Sequence, residues 1–293
     1  MISDKEFTER SNSRIFKMMS VFLNLAPDYI DKDMIDEITG GEEFGTEYAF
    51  ASLLASACGV DPYVSDFEKR FFREYFLPMV KCLPVEKYLN DPYYKNVRFP
   101  VGKSGKWNFE TRVCRAYEAF VYDDPLILDD GRVIPQIAFF LEDYPYPAVL
   151  ENGREWMTLM PNEINTTLPA VDASVGKVLT YGLGLGYFAY MVSRKPDVES
   201  VTIVERSSDA INLFRESILP QFEFPEKINI VQSDAFDYAE NCLAEGKFNT
   251  VFTDLWHDPS DGVELYLRMK QYEDRLPDAE FIYWVEKTLK LYI

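Results

Sequence analysis

The sequence predicts an α/β protein whose C-terminal part is a doubly wound parallel sheet, and three observations carry that expectation. From Gly176 onward, short apolar runs alternate with amphipathic helical stretches. A glycine cluster, Tyr181-Gly182-Leu183-Gly184-Leu185-Gly186, closes the first run and opens the first helix. The next three runs end in acids, at Glu205, Asp234 and Asp254. Continuously apolar strands separated by helices imply right-handed crossovers and a sheet covered on both faces. Ligands of such sheets bind beyond the carboxyl ends of the strands, where the strand order reverses.

Taken in order, residues 1 to about 90 read as helices, because apolar residues recur three or four apart, as in Ile15, Met18, Met19 and Phe22 and again in Phe67, Phe71 and Tyr75. Ser65 with Glu68 forms a capping box, and Pro78 is expected to kink or end that helix. These stripes are core packing and carry no chemistry. Asn90 to Lys106, rich in Pro, Gly and Lys, reads as a connecting loop. Its Gly102-Lys103-Ser104 is no phosphate loop, since the pattern needs a glycine at position 97, which is Val97. IAFFLE, PAVL and REWMTL are extended runs, and Asn152-Gly153 between the last two is a strong hairpin signal. The expected division is therefore a helical domain over 1–105, a small antiparallel β hairpin and connecting region over 106–170, and the parallel sheet over 171–293.

The chain has 293 residues, 47% of them hydrophobic, and a net charge of -19 from 49 acidic and 30 basic side chains. That composition belongs to a folded protein. So acidic a surface repels phosphate backbones and anionic lipid, so no nucleic-acid partner is expected. The longest uncharged run, Val178 to Ser193, holds three glycines and falls short of the roughly 20 apolar residues that cross a bilayer, so neither is a membrane. The polar start of the chain lacks a signal-peptide core, and a cytoplasmic location is expected. Cys58, Cys82, Cys114 and Cys242 stand far apart, His257 is the only histidine, and no metal site is expected.

The chemistry gathers at the strand ends. Glycines after the first strand let the backbone turn tightly and approach a ligand. The spacing is GxGxG, with Tyr187 where a dinucleotide fingerprint has its last glycine. Glu205 stands where an acid accepts hydrogen bonds from both ribose hydroxyls of a nucleoside, and Asp234 with Ala235 where an adenine amine would lie. Singly, each has a plainer explanation, a structural turn or a surface acid; acids at successive strand ends are harder to explain so.

GKVLTYGLGLGYFAYM, SVTIVERSSDAINLF, INIVQSDAFDY and FNTVFTDLWHDP, from about Gly176 to Pro259, resemble the successive motifs of class I S-adenosylmethionine-dependent methyltransferases, above all their spermidine-synthase-like members. The resemblance implies a Rossmann-like methyltransferase sheet with S-adenosylmethionine as cofactor. It assigns the methionine part to Gly182, Gly184 and Gly186, the ribose to Glu205 and the adenine to Asp234 with Ala235. Thr180, Tyr181 and Arg206 complete the cofactor set. The hairpin followed by MTLMPNEI is similar to the small sheet and trailing acid of spermidine synthases, which implies a place for Glu163 at the substrate.

Three departures stand beside these matches. Thr180 occupies the position of the usual acid two residues before the first glycine, and Leu185 that of the spermidine-synthase aspartate. Asp254-Leu255-Trp256-His257-Asp258-Pro259 has one residue more between its acids than the synthase pattern. Methyl transfer from a sulfonium needs a positioned acceptor and, where required, a base. His257 suits that role, with Asp254 and Asp258 to orient it or to bind a cationic acceptor, and Trp256 to wall the acceptor pocket. The 39 residues after Asp254 read as two helices, with Phe281, Val285 and Leu289 in register, so the sheet is expected to be C-terminally short. The reading is a methyltransferase for a small-molecule or peptide acceptor. An aminopropyltransferase and a non-catalytic adenosyl-ligand-binding or scaffold protein stay open, as does a homo-oligomeric state.

Overall fold

The computed structural model describes residues 3–41, 45–100, 102–257 and 259–293. The chain forms two compact units, Met1–Lys87 with Val113–Pro145, and Tyr88–Arg112 with Tyr146–Ile293.

The first unit opens with helices α1 (Asp4–Leu25), α2 (Lys32–Thr39) and α3 (Thr46–Ala57). The expected stripe is buried, with Phe7, Ile15, Met19 and Phe22 on one side of α1. Ser65 accepts from the Glu68 amide at 3.2 Å and starts α4 (Asp66–Phe71), which continues through a π-helical stretch, Phe72–Phe76, into α5 (Leu77–Met79). The helical run ends one residue after Pro78, and the chain becomes strand β1 (Val80–Cys82).

There follow α6 (Val85–Leu89), α7 (Pro92–Asn96), β2 (Lys103–Ser104), β3 (Trp107–Cys114), β4 (Phe120–Ile127), β5 (Val133–Phe139), β6 (Tyr144–Glu151) and β7 (Arg154–Thr158). One sheet has the order β1-β5-β4 and another β2-β3-β6-β7. The expected hairpin joins β6 to β7, with Asn152 and Gly153 at φ of 52° and 78°, as a two-residue primed turn demands. The expected loop over 90–106 needs correcting, because it contains α7. Asp91 starts that helix by accepting from the Tyr93 and Tyr94 amides at 2.8 and 3.2 Å, with Pro92 in the first turn where its missing N–H costs nothing.

The second unit is built on α8 (Pro161–Ala173), β8 (Gly176–Tyr181), α9 (Tyr187–Ser193), β9 (Val198–Glu205), α10 (Ser208–Ser217), β10 (Ile228–Gln232), α11 (Ala235–Asn241), α12 (Leu243–Gly246), β11 (Thr250–Thr253), α13 (Pro259–Lys270), β12 (Glu280–Tyr283) and α14 (Glu286–Leu289). Strands β8 to β12 form one sheet and are all parallel, in the order β10-β9-β8-β11-β12. This is the doubly wound, Rossmann-like sheet that the alternating pattern predicts. The chain steps outward from β8 to β10, then returns to the other side of β8, which makes the β8–β11 pair the switch in strand order.

The C-terminal expectation is corrected as well. Residues 280–283 form a fifth strand, pairing Thr250 with Glu280 through Thr253 with Tyr283, and only Glu286–Leu289 is α-helical in the stretch read as a second helix. Phe281, Ile282 and Tyr283 are β-favouring residues, and the ladder offered by β11 outweighs a helical spacing carried by three side chains. No described helix is long and apolar enough to cross a membrane.

Candidate functional site

The carboxyl ends of β8, β9, β10 and β11 open on one cavity of about 360 Å³ within the second unit, a size that suits a small ligand. Gly182 and Gly184 line it from the turn after β8, Glu205 and Arg206 from the end of β9, and Asp234 and Ala235 from the end of β10. Asp254, Trp256 and His257 come from the loop after β11, and Glu163 from the first turn of α8. The structure therefore gathers ten residues that the sequence singled out. Thr180, Tyr181 and Gly186 are not among the lining residues, contrary to expectation. Thr180 and Tyr181 are buried in the body of β8, and Gly186 caps α9 beside Phe214. Asp258 lies outside the described residues.

The glycine turn has its own physical account. Gly182 adopts φ 99°, and a Cβ there would stand 2.2 Å from the Asp254 carbonyl oxygen. Gly184 adopts φ 51°, and its Cβ would stand 2.2 Å from Met157 Sδ. Both glycines thus let neighbouring segments of this chain close on the turn, since a side chain would collide. The Leu185 amide points at Met157 Sδ at 3.1 Å, and buried Tyr93 in α7 donates its hydroxyl to the Leu185 carbonyl. Sequence reasoning missed both supports, because nothing in a loop-like or hairpin segment advertises contact with a turn remote in the chain.

Glu205 is held ready by main-chain donors. The Ser207 amide donates to Oε1 at 2.7 Å, and the backbone of Leu183 and Arg206 adds further bonds. Burial raises its carboxyl above the ordinary range, and these bonds oppose the rise. A carboxylate accepts about four hydrogen bonds, so capacity for one ribose hydroxyl remains. Asp234 has a structural duty too: its Oδ1 caps α11 by accepting from the Phe236 and Asp237 amides at 2.9 and 3.2 Å.

Deeper in, Glu163 and Asp254 oppose each other. Burial, then the Asp254 carboxylate and then Glu155, holds Glu163 well above the usual carboxylate range, and burial pushes Asp254 up to about 7. Two facing acids cannot both ionise cheaply, so the pair keeps a proton near neutrality.

The four tryptophans of the chain, Trp107, Trp156, Trp256 and Trp284, all line this cavity. Only Trp256 was singled out from sequence, since the others lie scattered along β3, β7 and the residue after β12. Trp156 packs its ring edge-on to His257, with centroids 4.0 Å apart. The Trp284 indole N–H donates to Thr166 Oγ1 at 2.8 Å. Trp107 Nε1, Trp256 Nε1 and His257 Nε2 are buried with no hydrogen-bond partner among the described residues.

No protein-family model matches the chain, and no curated protein does. Among solved structures it is similar to the cofactor-bound Rv0187 from MTB, at 22% identity and a TM-score of 0.29 over 36% of this chain and 48% of that one. It is also similar to precorrin 8W decarboxylase from Methanobacterium thermoautotrophicum, at 15% identity and 0.31 over 40% and 57%. A third is a Klebsiella pneumoniae protein provisionally described as an O-methyltransferase, at 18% identity and 0.27 over 35% and 44%. The chain spans about half the length of these structures. Likeness this partial says nothing of activity, so function has to be read from the cavity.

Proposed function

We propose that the second unit binds S-adenosylmethionine and transfers its methyl group to a small-molecule or peptide acceptor. The observation that carries this reading is the convergence on one cavity of the glycine turn, Glu205, Asp234 and the Asp254–His257 loop, each at the tip of a neighbouring strand of one parallel sheet. In this reading Glu205 holds the ribose through an acceptor set already fixed by backbone amides, and Ala235 and Phe236 pack the adenine. The turn from Gly182 to Gly184 takes the methionine end.

The bound cofactor supplies the chemistry, a methyl group on a sulfonium. The protein has to place an acceptor in line with it, exclude water and take a proton where one is released. Glu163, Asp254, Trp256 and His257 line the remaining wall and are available for that work. Five acidic side chains on the cavity wall (Glu163, Glu205, Asp234, Asp254 and Asp261) also favour a second reading, aminopropyl transfer to a polyamine. Leu185, in place of the aspartate, counts against it.

Calorimetry with S-adenosylmethionine and S-adenosylhomocysteine is the test. Binding of both is expected, and no heat at millimolar ligand would refute the proposal. Preference for the decarboxylated cofactor would promote aminopropyl transfer. Tight binding with no turnover on any acceptor would leave an adenosyl-ligand-binding protein.

A further inference from the structure

We propose that Asp261 fixes the neutral imidazole of His257 as its Nδ1–H tautomer, so that Nε2 offers a lone pair in the cavity wall and the acceptor is a hydroxyl compound. The acceptor class and the transfer step rest on the function proposed above, and the tautomer does not.

The geometry starts from the main chain. His257 donates its backbone N–H to Asp261 Oδ1 at 3.2 Å, and the other oxygen of that carboxylate lies 3.6 Å from His257 Nδ1. The carboxylate is thus anchored beside one particular ring nitrogen. An ionised carboxylate only accepts hydrogen bonds, so the nitrogen that faces it is the one to carry the proton. At 3.6 Å the contact is longer than a hydrogen bond, and such contacts tighten when a site fills. Trp156 holds the imidazole from the side, at 4.0 Å and 69° between planes. The sequence suggested Asp254 and Asp258 as the orienting acids; the residue found at Nδ1 is Asp261, in the first turn of α13.

Once Nδ1 is protonated, Nε2 becomes an acceptor, and it is buried with no partner among the described residues. The indole N–H groups of Trp107, 6% exposed, and Trp256, 4% exposed, line the same cavity and lack acceptors among the described residues. Unmet buried donors and acceptors are costly unless a ligand meets them. A hydroxyl compound with further oxygens answers both demands, giving its O–H to Nε2 and its lone pairs to the indoles. An ammonium has no lone pair to give. The titratable groups around the cavity are Glu163, Glu205, Asp234, Asp254, Asp261 and Arg206, and Asp261 is the one found at Nδ1.

The step then balances. The acceptor oxygen attacks the methyl carbon, the O–CH₃ bond forms as the S–CH₃ bond breaks, and the electron pair of that bond stays on sulfur. The hydroxyl proton passes to Nε2, so the positive charge lost by the sulfonium appears on His257 beside Asp261.

Because His257 is the only histidine, ¹⁵N-histidine labelling of the full chain gives a single imidazole in two-bond ¹H–¹⁵N correlation spectra. The neutral ring is expected to show a protonated Nδ1 and a bare Nε2. Asp261→Ala should shift it toward the Nε2–H form, and Asp261→Glu should restore it. A wild-type spectrum already in the Nε2–H form, or one unchanged by Asp261→Ala in a protein that keeps its melting temperature, overturns the assignment. The wild-type spectrum decides even if the variant fails to fold. For the acceptor, His257→Gln should retain S-adenosylhomocysteine binding while methylation of hydroxyl compounds falls by about 10²-fold or more; methylation confined to amines overturns the acceptor class. Absence of cofactor binding would sink the proposed function and leave the tautomer result standing.

Discussion

Burial lifts the Asp254 carboxyl from its ordinary 3.8 to about 7, and Glu163 beside it is raised as well. A carboxyl whose folded pKa is raised holds its proton more tightly in the folded state. Its contribution to stability is complete below about pH 4 and is lost as pH climbs through 7. Asp254→Asn should therefore stabilise the protein at pH 8 by about 1 to 2 kcal/mol, and by nothing below pH 4, as read from urea midpoints. Glu163→Gln should do the same, and the double variant should gain less than the sum, since each change alone relieves the shared repulsion. Equal gains at both pH values would show that the pair carries no buried charge. The glycine turn makes a sharper comparison. Gly182→Ala meets a main-chain carbonyl, whereas Gly184→Ala meets the end of a flexible methionine side chain. The first should cost about 2 to 4 kcal/mol and the second roughly half as much. A reversed order in thermal unfolding would mean that the turn relaxes in a way the close approach of Gly182 to Asp254 excludes.

At the scale of elements, α7 and α12 each expose one decisive interaction. Tyr93 in α7 gives its hydroxyl to the Leu185 carbonyl, so Tyr93→Phe leaves a buried carbonyl unmet. A loss of about 1 to 3 kcal/mol is expected, together with weaker S-adenosylhomocysteine binding in calorimetry. Unchanged affinity would show that the turn needs no support from α7. At the end of α12, exposed Lys247 sits at φ 48°, a conformation that glycine adopts without strain. Lys247→Gly should raise stability by about 0.5 to 1 kcal/mol. The parallel strands from β8 to β11 were legible in sequence because each is a nearly unbroken apolar run between helices of opposite pattern. β12 was not, since four residues whose burial depends on the edge of β11 show no period of their own. α7 was hidden in a segment whose proline and lysines suggest a loop, although Asp91-Pro92 is itself a helix-start signal. Among site residues, Glu205, Asp234 and Asp254 could be found because a strand end marks them. Trp107, Trp156 and Met157 could not, because only tertiary packing brings β3 and β7 to the cavity. Asp261 lay four residues after His257 and was within reach of helical spacing.

Across the whole molecule, acids outnumber bases by 19. Ion pairs such as Arg14–Glu68, Arg70–Glu74 and Arg115–Asp143 engage part of the acidic set, but pairs near the surface contribute little each, about 0 to 1 kcal/mol. The unbalanced carboxylates repel one another over distances comparable to the Debye length, roughly 10 Å at 0.1 M salt and 3 Å at 1 M. Raising the salt screens repulsion and attraction alike, and with this surplus of one sign more repulsion than attraction is lost. The melting temperature at pH 7.5 should therefore rise by a few degrees between 0.02 and 0.5 M sodium chloride. Lowering the pH to 5.5 should shrink that rise, because the raised carboxyls, Asp254 and Glu163 among them, take up protons and the surplus falls. A melting temperature that drops with salt at pH 7.5 would mean that the ion pairs dominate, and the acidic surplus would then be no burden on the fold.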